Sequence, residues 1–248
     1  MTASTITFEY PINEHVRKYL RIENLFNRFE QAVYAESFNE HHLALHTLFE
    51  IMECTSRIDL KLNILQDLEQ QKKCAYEESI LAELSECATA LQNSRQKFGQ
   101  HLRDNEWLMN VKQHMAIVGS VNPVDLPSYY YWADLPAEER QQQLRTWAEN
   151  LMPTGNSIQL LLKLLRQNAQ ETECVAEKGV YTDSGIGKQK VELIQVETDF
   201  ANQVMPEISV NKYMMCIRFV GIDFQHIRGP QSVCDIAFRL RKCCVQEP

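Results

Sequence analysis

The sequence predicts an α+β fold, a mainly helical domain followed by a small antiparallel β-sheet domain. Two observations carry this. Apolar residues recur at helical spacing up to about residue 174, and beyond it they alternate with a period of two. A third sets the scale: 248 residues, 44% hydrophobic and 23% charged, are enough for one large core or two small ones.

The chain opens with a short strand, ITFEY (6–10), and Pro11-Ile12-Asn13-Glu14 then starts a helix with proline at its edge. Wound at 100° per residue, Ile12, Val16, Tyr19, Ile22, Phe26, Phe29 and Val33 share one broad face. Arg17, Arg21, Asn24 and Arg28 fall within about 60° of one another on the opposite face. Further helices are expected near 38–55, 57–75, 78–98, 104–115, 136–151 and 154–172. Two of them begin with carboxylates suited to a positive helix N-terminus, at Asp104-Asn105-Glu106 and at Pro136-Ala137-Glu138-Glu139. The stretch SVNPVDLPSYYYWADLP (120–136), with its three prolines, reads as a long ordered loop. Its YYYW plugs into the helical core or a subunit interface.

After residue 174 the strands of a small antiparallel sheet follow. NKYMMCIRFVGI sends Tyr213, Met215, Ile217 and Phe219 one way and Lys212, Met214, Cys216 and Arg218 the other. VCDIAFRLRK alternates Cys234, Ile236, Phe238 and Leu240 with Asp235, Ala237, Arg239 and Arg241. KVELIQVETD (190–199) is a third strand and GVYT (179–182) a fourth, with the glycine-containing TDSGIGK as the reversal between them.

Charge is spread unequally. The net charge is -8, yet residues 211–248 carry six basic against three acidic side chains, which leaves -11 for residues 1–210. A local basic surface on an acidic protein fits a short acidic peptide better than a duplex, which asks for a broadly positive face. No apolar run approaches the roughly 20 residues that span a bilayer. The start, MTASTITFEYP, lacks the basic and apolar regions of an export signal. A cytoplasmic protein is expected, with neither nucleic acid nor membrane among its partners. The eight cysteines show no CxxC spacing, and adjacent Cys243 and Cys244 suit neither zinc nor an ordinary disulfide; most read as buried thiols.

Few motifs point to chemistry. His42 and His46 stand at i and i+4 with Glu50 one turn on, the spacing of a helical metal site. This pair supports the one enzymatic alternative, a metal-dependent enzyme. An HExxH site, however, needs glutamate directly after the first histidine, where this chain has Leu43. SGIGKQK (184–190) departs from a phosphate loop at Thr182 and Gln189 and is read as a turn. There is no GxSxG elbow and no local Ser, His and Asp context, so no nucleophilic catalysis is expected. The arginine stripe has two readings. It is a solvated face, paired with Glu14, Glu23 and Glu30 at about a few tenths of a kcal/mol each, or it is a dock for carboxylates, which the planar guanidinium binds bidentately.

The opening FEYPINEHVRKYLRIE resembles the start of the ZapD family, bacterial cell-division proteins that associate with the tubulin-like FtsZ. Further similar segments follow in order: FGQHLRDNEWL (98–108), VDLPSYYYWADLP (124–136), LLKLLRQNA (161–169), PEISVNKYMMCIRF (206–219) and FRLRKCC (238–244). The resemblance spans nearly the whole chain, with 75–95 and 174–190 matching poorly. It implies that the N-terminal strand joins the C-terminal sheet. The helical domain is then expected at 11–173 and the β domain at 1–10 with 174–248.

The resemblance also implies a two-fold homodimer, without catalysis or cofactor, that binds the C-terminal tail of FtsZ through a basic pocket. Such a dimer cross-links filaments into bundles at the division site at midcell. The residues matching the family's basic positions are Arg17, Arg21, Arg57, Lys112, Arg166, Lys212 and Arg218. The family's pattern has basic residues where this chain has Met214 and His114.

Overall fold

The computed structural model describes residues 5–56, 58–74, 77–94, 98–185 and 190–244. The fold is α+β. Its strands are β1 (Thr5–Pro11), β2 (Ala169–Ala176), β3 (Val180–Asp183), β4 (Val191–Asp199), β5 (Val204–Val210), β6 (Met215–Gly221) and β7 (Ile236–Cys244). Its helices are α1 (Glu14–Tyr34), α2 (Phe38–Thr55), α3 (Ile58–Cys74), α4 (Glu78–Asn93), α5 (Gln100–Arg103), α6 (Glu106–Met115), α7 (Pro127–Ala133), α8 (Ala137–Ala148) and α9 (Met152–Gln167). The chain divides into two compact units, Met1–Lys18 with Leu162–Pro248, and Tyr19–Leu161. Both borders fall inside helices, α1 and α9.

The unit holding both ends of the chain is a β-sandwich. Where the sequence suggests one sheet there are two, a four-stranded sheet in the order β1-β4-β7-β2 and a three-stranded sheet in the order β3-β6-β5. Every pairing is antiparallel, and the N-terminal strand lies against β4, from Thr5↔Asp199 to Pro11↔Leu193. The alternation read in the sequence faces the core between the sheets. Met215, Ile217 and Phe219 of β6 meet Ile236, Phe238 and Leu240 of β7, with Ile194 and Val196 of β4. Phe238 meets Phe219 at a tilt, with centroids 5.1 Å apart, and Tyr181 edge-on at 5.3 Å. Tyr213 and Cys234 lie before their strands begin and are exposed. Lys242 of β7 closes one end of the core by pairing with Asp183 of β3 in the opposite sheet. Burial works against the Asp183 carboxylate, yet the bonds from Lys242 and the Gly185 amide hold its pKa below the usual value.

Several expectations are corrected. The helix expected over 154–172 stops at Gln167, and Ala169–Ala176 is a strand. That strand, AQETECVA, has little apolar alternation of its own; its register sets Glu171 opposite Arg241 and Glu173 opposite Arg239, so opposite charges reinforce the ladder. The strand β5 was not expected; it contains Pro206 and is an edge strand, where a proline leaves no inner ladder bond unmade. The loop at 120–136 contains α7, which Pro127 opens from its first turn, where the missing N–H costs nothing. The helix expected over 78–98 ends at Asn93. Residues 186–189 of the expected turn lie outside the described residues.

The helical unit buries the apolar face of α1 as its sequence dictates: Tyr19, Ile22, Phe26, Phe29 and Val33 are all nearly inaccessible. Gly155 of α9 lets that helix approach α1 closely, since a Cβ there would sit 2.8 Å from a ring carbon of Phe26. The YYYW segment packs inward through Tyr129 and Trp132 and leaves Tyr131 outside. Trp132 joins Trp107 and Trp147 in a cluster with ring centroids 5.5–6.1 Å apart.

One buried cation organises this unit. Arg140 is only 6% exposed. No carboxylate pairs with it among the described residues; its partners are main-chain carbonyls of Ala133, Leu135 and Glu36, and His41 Nδ1 at 2.8 Å. Ala133 ends α7, while Leu135 and Glu36 lie in the connections after α7 and α1, so main-chain carbonyls take the place of a countercharge. His41 passes the restraint on, its Nε2 donating to the Ala35 carbonyl at 2.7 Å. Burial, then the nearby Arg140 charge, keeps the His41 pKa below the usual value despite that bond, and burial followed by His46 does the same for His42.

Arg140→Met should destabilise the protein by about 3 kcal/mol, because it leaves several buried carbonyls unpaired. Urea unfolding followed by circular dichroism measures it; a midpoint shift near zero would refute the role given to Arg140. The histidines predict a pH dependence. Their native pKa values lie below those of the unfolded chain, so their stabilisation is complete above about pH 6.5 and is lost as the unfolded state takes up protons below it. Urea midpoints should therefore fall between pH 7.5 and 5.5, by up to about 1.4 kcal/mol per pH unit for each histidine. The carboxylates held low, such as Asp183, act only at lower pH, and a flat profile in this window would contradict neutral burial of His41 and His42.

Candidate partner-binding surface

The first helix begins where its residues dictate. Asn13 caps it, its Oδ1 accepting from the Val16 amide at 2.8 Å, and Glu14 sits in the positive first turn. This start fixes the phase of the arginine stripe, whose members meet different fates. Arg17 bonds Glu14 at 2.9 Å, with its guanidinium 6.0 Å from the centre of the Tyr10 ring. Arg28 is drawn to α2, donating to Thr47 at 3.1 Å and pairing with Glu50. Arg21 is exposed and has no ion pair or hydrogen bond among the described residues.

The other expected residues also divide into held and free. Lys112 pairs with Glu53, which also lies 4.0 Å from Arg103, and the bond from Lys112 holds the Glu53 carboxyl below its usual pKa. Arg166 grips both oxygens of Glu9, each at 2.9 Å, and Gln195 adds a third bond at 2.7 Å. Burial of Glu9 opposes ionisation, but these bonds prevail and its pKa is lowered. Lys212 lies in the β5–β6 turn with its ammonium 4.8 Å from the Tyr213 ring centre. Asn211 builds that turn by accepting from the amides of Tyr213 and Met214 at 2.8 and 2.9 Å. Arg218 is exposed on β6 and has no carboxylate partner among the described residues. Arg57 lies outside the described residues.

Within the sandwich, the structure does not bring Arg166 and Arg218 together. Tyr10 packs against the inter-sheet core, so its neighbour Glu9, with Arg166 on it, is on the outer face of the four-stranded sheet. Arg218 alternates with the core residues Ile217 and Phe219 and so points out from the three-stranded sheet, on the other side of the sandwich.

That outer face of the three-stranded sheet holds a pocket of about 350 Å³ whose residues were only partly anticipated. Besides Arg218 it includes Glu207 of β5 and Arg228 from the β6–β7 connection, which pair at 2.8 Å. Neither was anticipated: β5 was not expected, and no element was expected between Ile222 and Val233, so the excess of basic residues after 211 was the only cue.

The two histidines at metal-site spacing, His42 and His46, look to separate partners. His42 Nδ1 shares a 2.6 Å hydrogen bond with the Tyr129 hydroxyl, and His46 lies 3.6 Å from Glu50. Among the described residues no three His, Cys, Asp or Glu side chains gather as metal ligands. None of the described helices is long and apolar enough to cross a membrane.

Comparison with known proteins decides the family. The model of the family described as "ZapD: Cell division protein" matches residues 20–218. A curated relative, "Cell division protein ZapD" of Chromobacterium violaceum, is 41% identical over 250 residues, covering 96% of this chain and 99% of that one. The chain belongs to the ZapD family. It is thus a cell-division protein, and the arginine positions can be weighed with that role in view. Arg21 and Arg218 both lie within the span matched by the ZapD model, whereas Arg17 precedes it.

The division into held and free cations has a measurable consequence. Arg21→Glu should leave the unfolding free energy within about 0.5 kcal/mol of the parent. Arg166→Ala should cost about 1.5–3 kcal/mol, because it strips a half-buried carboxylate of two charge-assisted bonds. Urea titrations of both variants test this, and equal losses would show that the distinction is without energetic content.

Proposed function

We propose that this ZapD-family protein binds the acidic C-terminal tail of FtsZ and, as a two-fold homodimer, cross-links FtsZ filaments into bundles that stabilise the ring at midcell. It acts in the cytoplasm by binding alone, without catalysis. The residues proposed to meet the tail are Arg17, Arg21, Arg57, Lys112, Arg166, Lys212 and Arg218. The observation that carries the reading is that Arg21 and Arg218 are exposed arginines with no carboxylate partner among the described residues. Such a guanidinium offers its planar fork to an incoming carboxylate without first losing an internal bond. Lys112 and Arg166 join only by exchanging Glu53 and Glu9, so their share is smaller.

Affinity at each site can be modest. Filaments display many tails, and two linked sites raise avidity by roughly 10²–10⁴ over either alone. Because the contacts are charge-assisted and near the surface, bundling weakens as salt shortens the Debye length to about 8 Å and below.

Low-speed sedimentation with GTP-polymerised FtsZ, beside FtsZ lacking its C-terminal tail, tests the reading. Only tailed filaments should pellet, added salt should prevent it, and Arg21→Glu should reduce pelleting at least about tenfold while the variant stays folded and dimeric. Equal pelleting of tailless filaments would overturn the tail as target, and normal bundling by folded Arg21→Glu would remove Arg21 from the site.

A further inference from the structure

The pocket on the three-stranded sheet is built around a carboxylate the protein supplies itself. Its lining is Glu207, Ile208, Ser209, Cys216, Arg218 and Arg228. Register sets Glu207 directly opposite Arg218 and Ser209 opposite Cys216. Directly opposed side chains have Cβ atoms about 5 Å apart, well within reach of a Glu–Arg pair. Yet Glu207 turns from Arg218 to Arg228, whose Nε lies 2.8 Å from its Oε1.

Arg228 is brought there by the main chain. The Gly221 amide donates to the Pro230 carbonyl at 2.8 Å and the Ser232 amide to the Phe219 carbonyl at 2.9 Å, clipping the connection to the end of β6. Gly229 lies so close to Gly221 that a Cβ on it would overlap the Gly221 carbonyl. The pocket thus presents two arginines on a fixed frame, with Ser209 and Cys216 beside them.

We propose that Glu207 is a built-in competitor for the acidic tail. In the free protein it occupies Arg228; a tail carboxylate displaces it, and Arg228 then closes with Arg218 as a two-arginine clamp. The proposal rests on the tail-binding reading above and adds Arg228 as a binding residue and Glu207 as the group that sets affinity. The exchange is cheap, because the Arg228 side chain is 75% exposed and an ion pair so open to water is weak. An internal competitor lowers apparent affinity by the fraction of time it holds the site. For a pair of this strength that is roughly two- to fivefold.

Glu207→Gln keeps the size of the side chain and removes its charge. A fluorescein-labelled FtsZ tail peptide, followed by anisotropy, should bind this variant roughly two- to fivefold more tightly than the parent. Arg228→Gln should bind more weakly than the parent. Cys216 reports the location: the peptide should slow its alkylation by iodoacetamide, read by mass spectrometry, while exposed Cys54 and Cys234 outside the pocket stay reactive. If the parent binds and Glu207→Gln binds no better, the competitor is refuted and the tail reading stands. Binding without protection of Cys216 refutes the clamp in the same way. If the parent fails to bind the peptide at all, the tail reading falls and the proposal falls with it.

Discussion

The ladder between the first strand and β4 is the constraint on which the rest of the β unit depends. It joins Thr5–Pro11 to residues almost two hundred positions later, a non-local pairing that must close a very long loop before it gains any energy. Once made, it brings both ends of the chain into one sandwich. It also dictates where α1 begins: the Ile12 amide still bonds the Glu192 carbonyl at 2.9 Å, and Asn13 caps the helix one residue later. From that fixed start, 100° per residue sets the direction of every arginine on the helix.

Those directions decide which arginines the fold consumes. A guanidinium beside a carboxylate of its own chain is part of the structure, and one without such a neighbour is available. Arg166 on Glu9 and Arg28 on Glu50 belong to the first group. Arg239 shows the extreme, lying within 4 Å of Glu171, Glu173 and Glu197 across three strands. Arg140 is a different solution again, buried and held by main-chain carbonyls and His41 instead of a countercharge. Its donors are met by main-chain carbonyls of Ala133, Leu135 and Glu36 and by His41, so one side chain satisfies several polar groups at once.

How much of this could be read in the sequence follows from the range of the interactions involved. The apolar face of α1 and the alternation of β6 and β7 were legible because each is set by local spacing against one core. The strand β2 was not, since AQETECVA gains its strand character from arginines of β7 about 70 positions away. Pro127 misled for a related reason: a proline is a breaker inside a helix and harmless in its first turn, and sequence does not say which. The candidate site divides along the same line. That Arg21 and Arg218 would be exposed was legible from helix phase and strand alternation. That Glu9, 157 positions earlier in the chain, would capture Arg166 was not. Neither was the pairing of Glu207 with Arg228, which depends on a loop clipped back over a strand.

The charge balance gives the free arginines their significance. With 33 acidic and 25 basic side chains, this protein has carboxylates to spare. In such a chain an arginine without an internal partner is left so by placement and not by scarcity. Electrostatics alone would favour filling it, as happens at Glu9, Glu50 and Glu53. The backbone instead directs Arg21 off the free face of its helix and Arg218 out of its sheet, where no carboxylate of the described chain pairs with them. A surface that is negative overall also repels acidic partners from everywhere except such points. With a net charge of -8, exposed arginines left without a carboxylate among the described residues are local exceptions in an acidic surface.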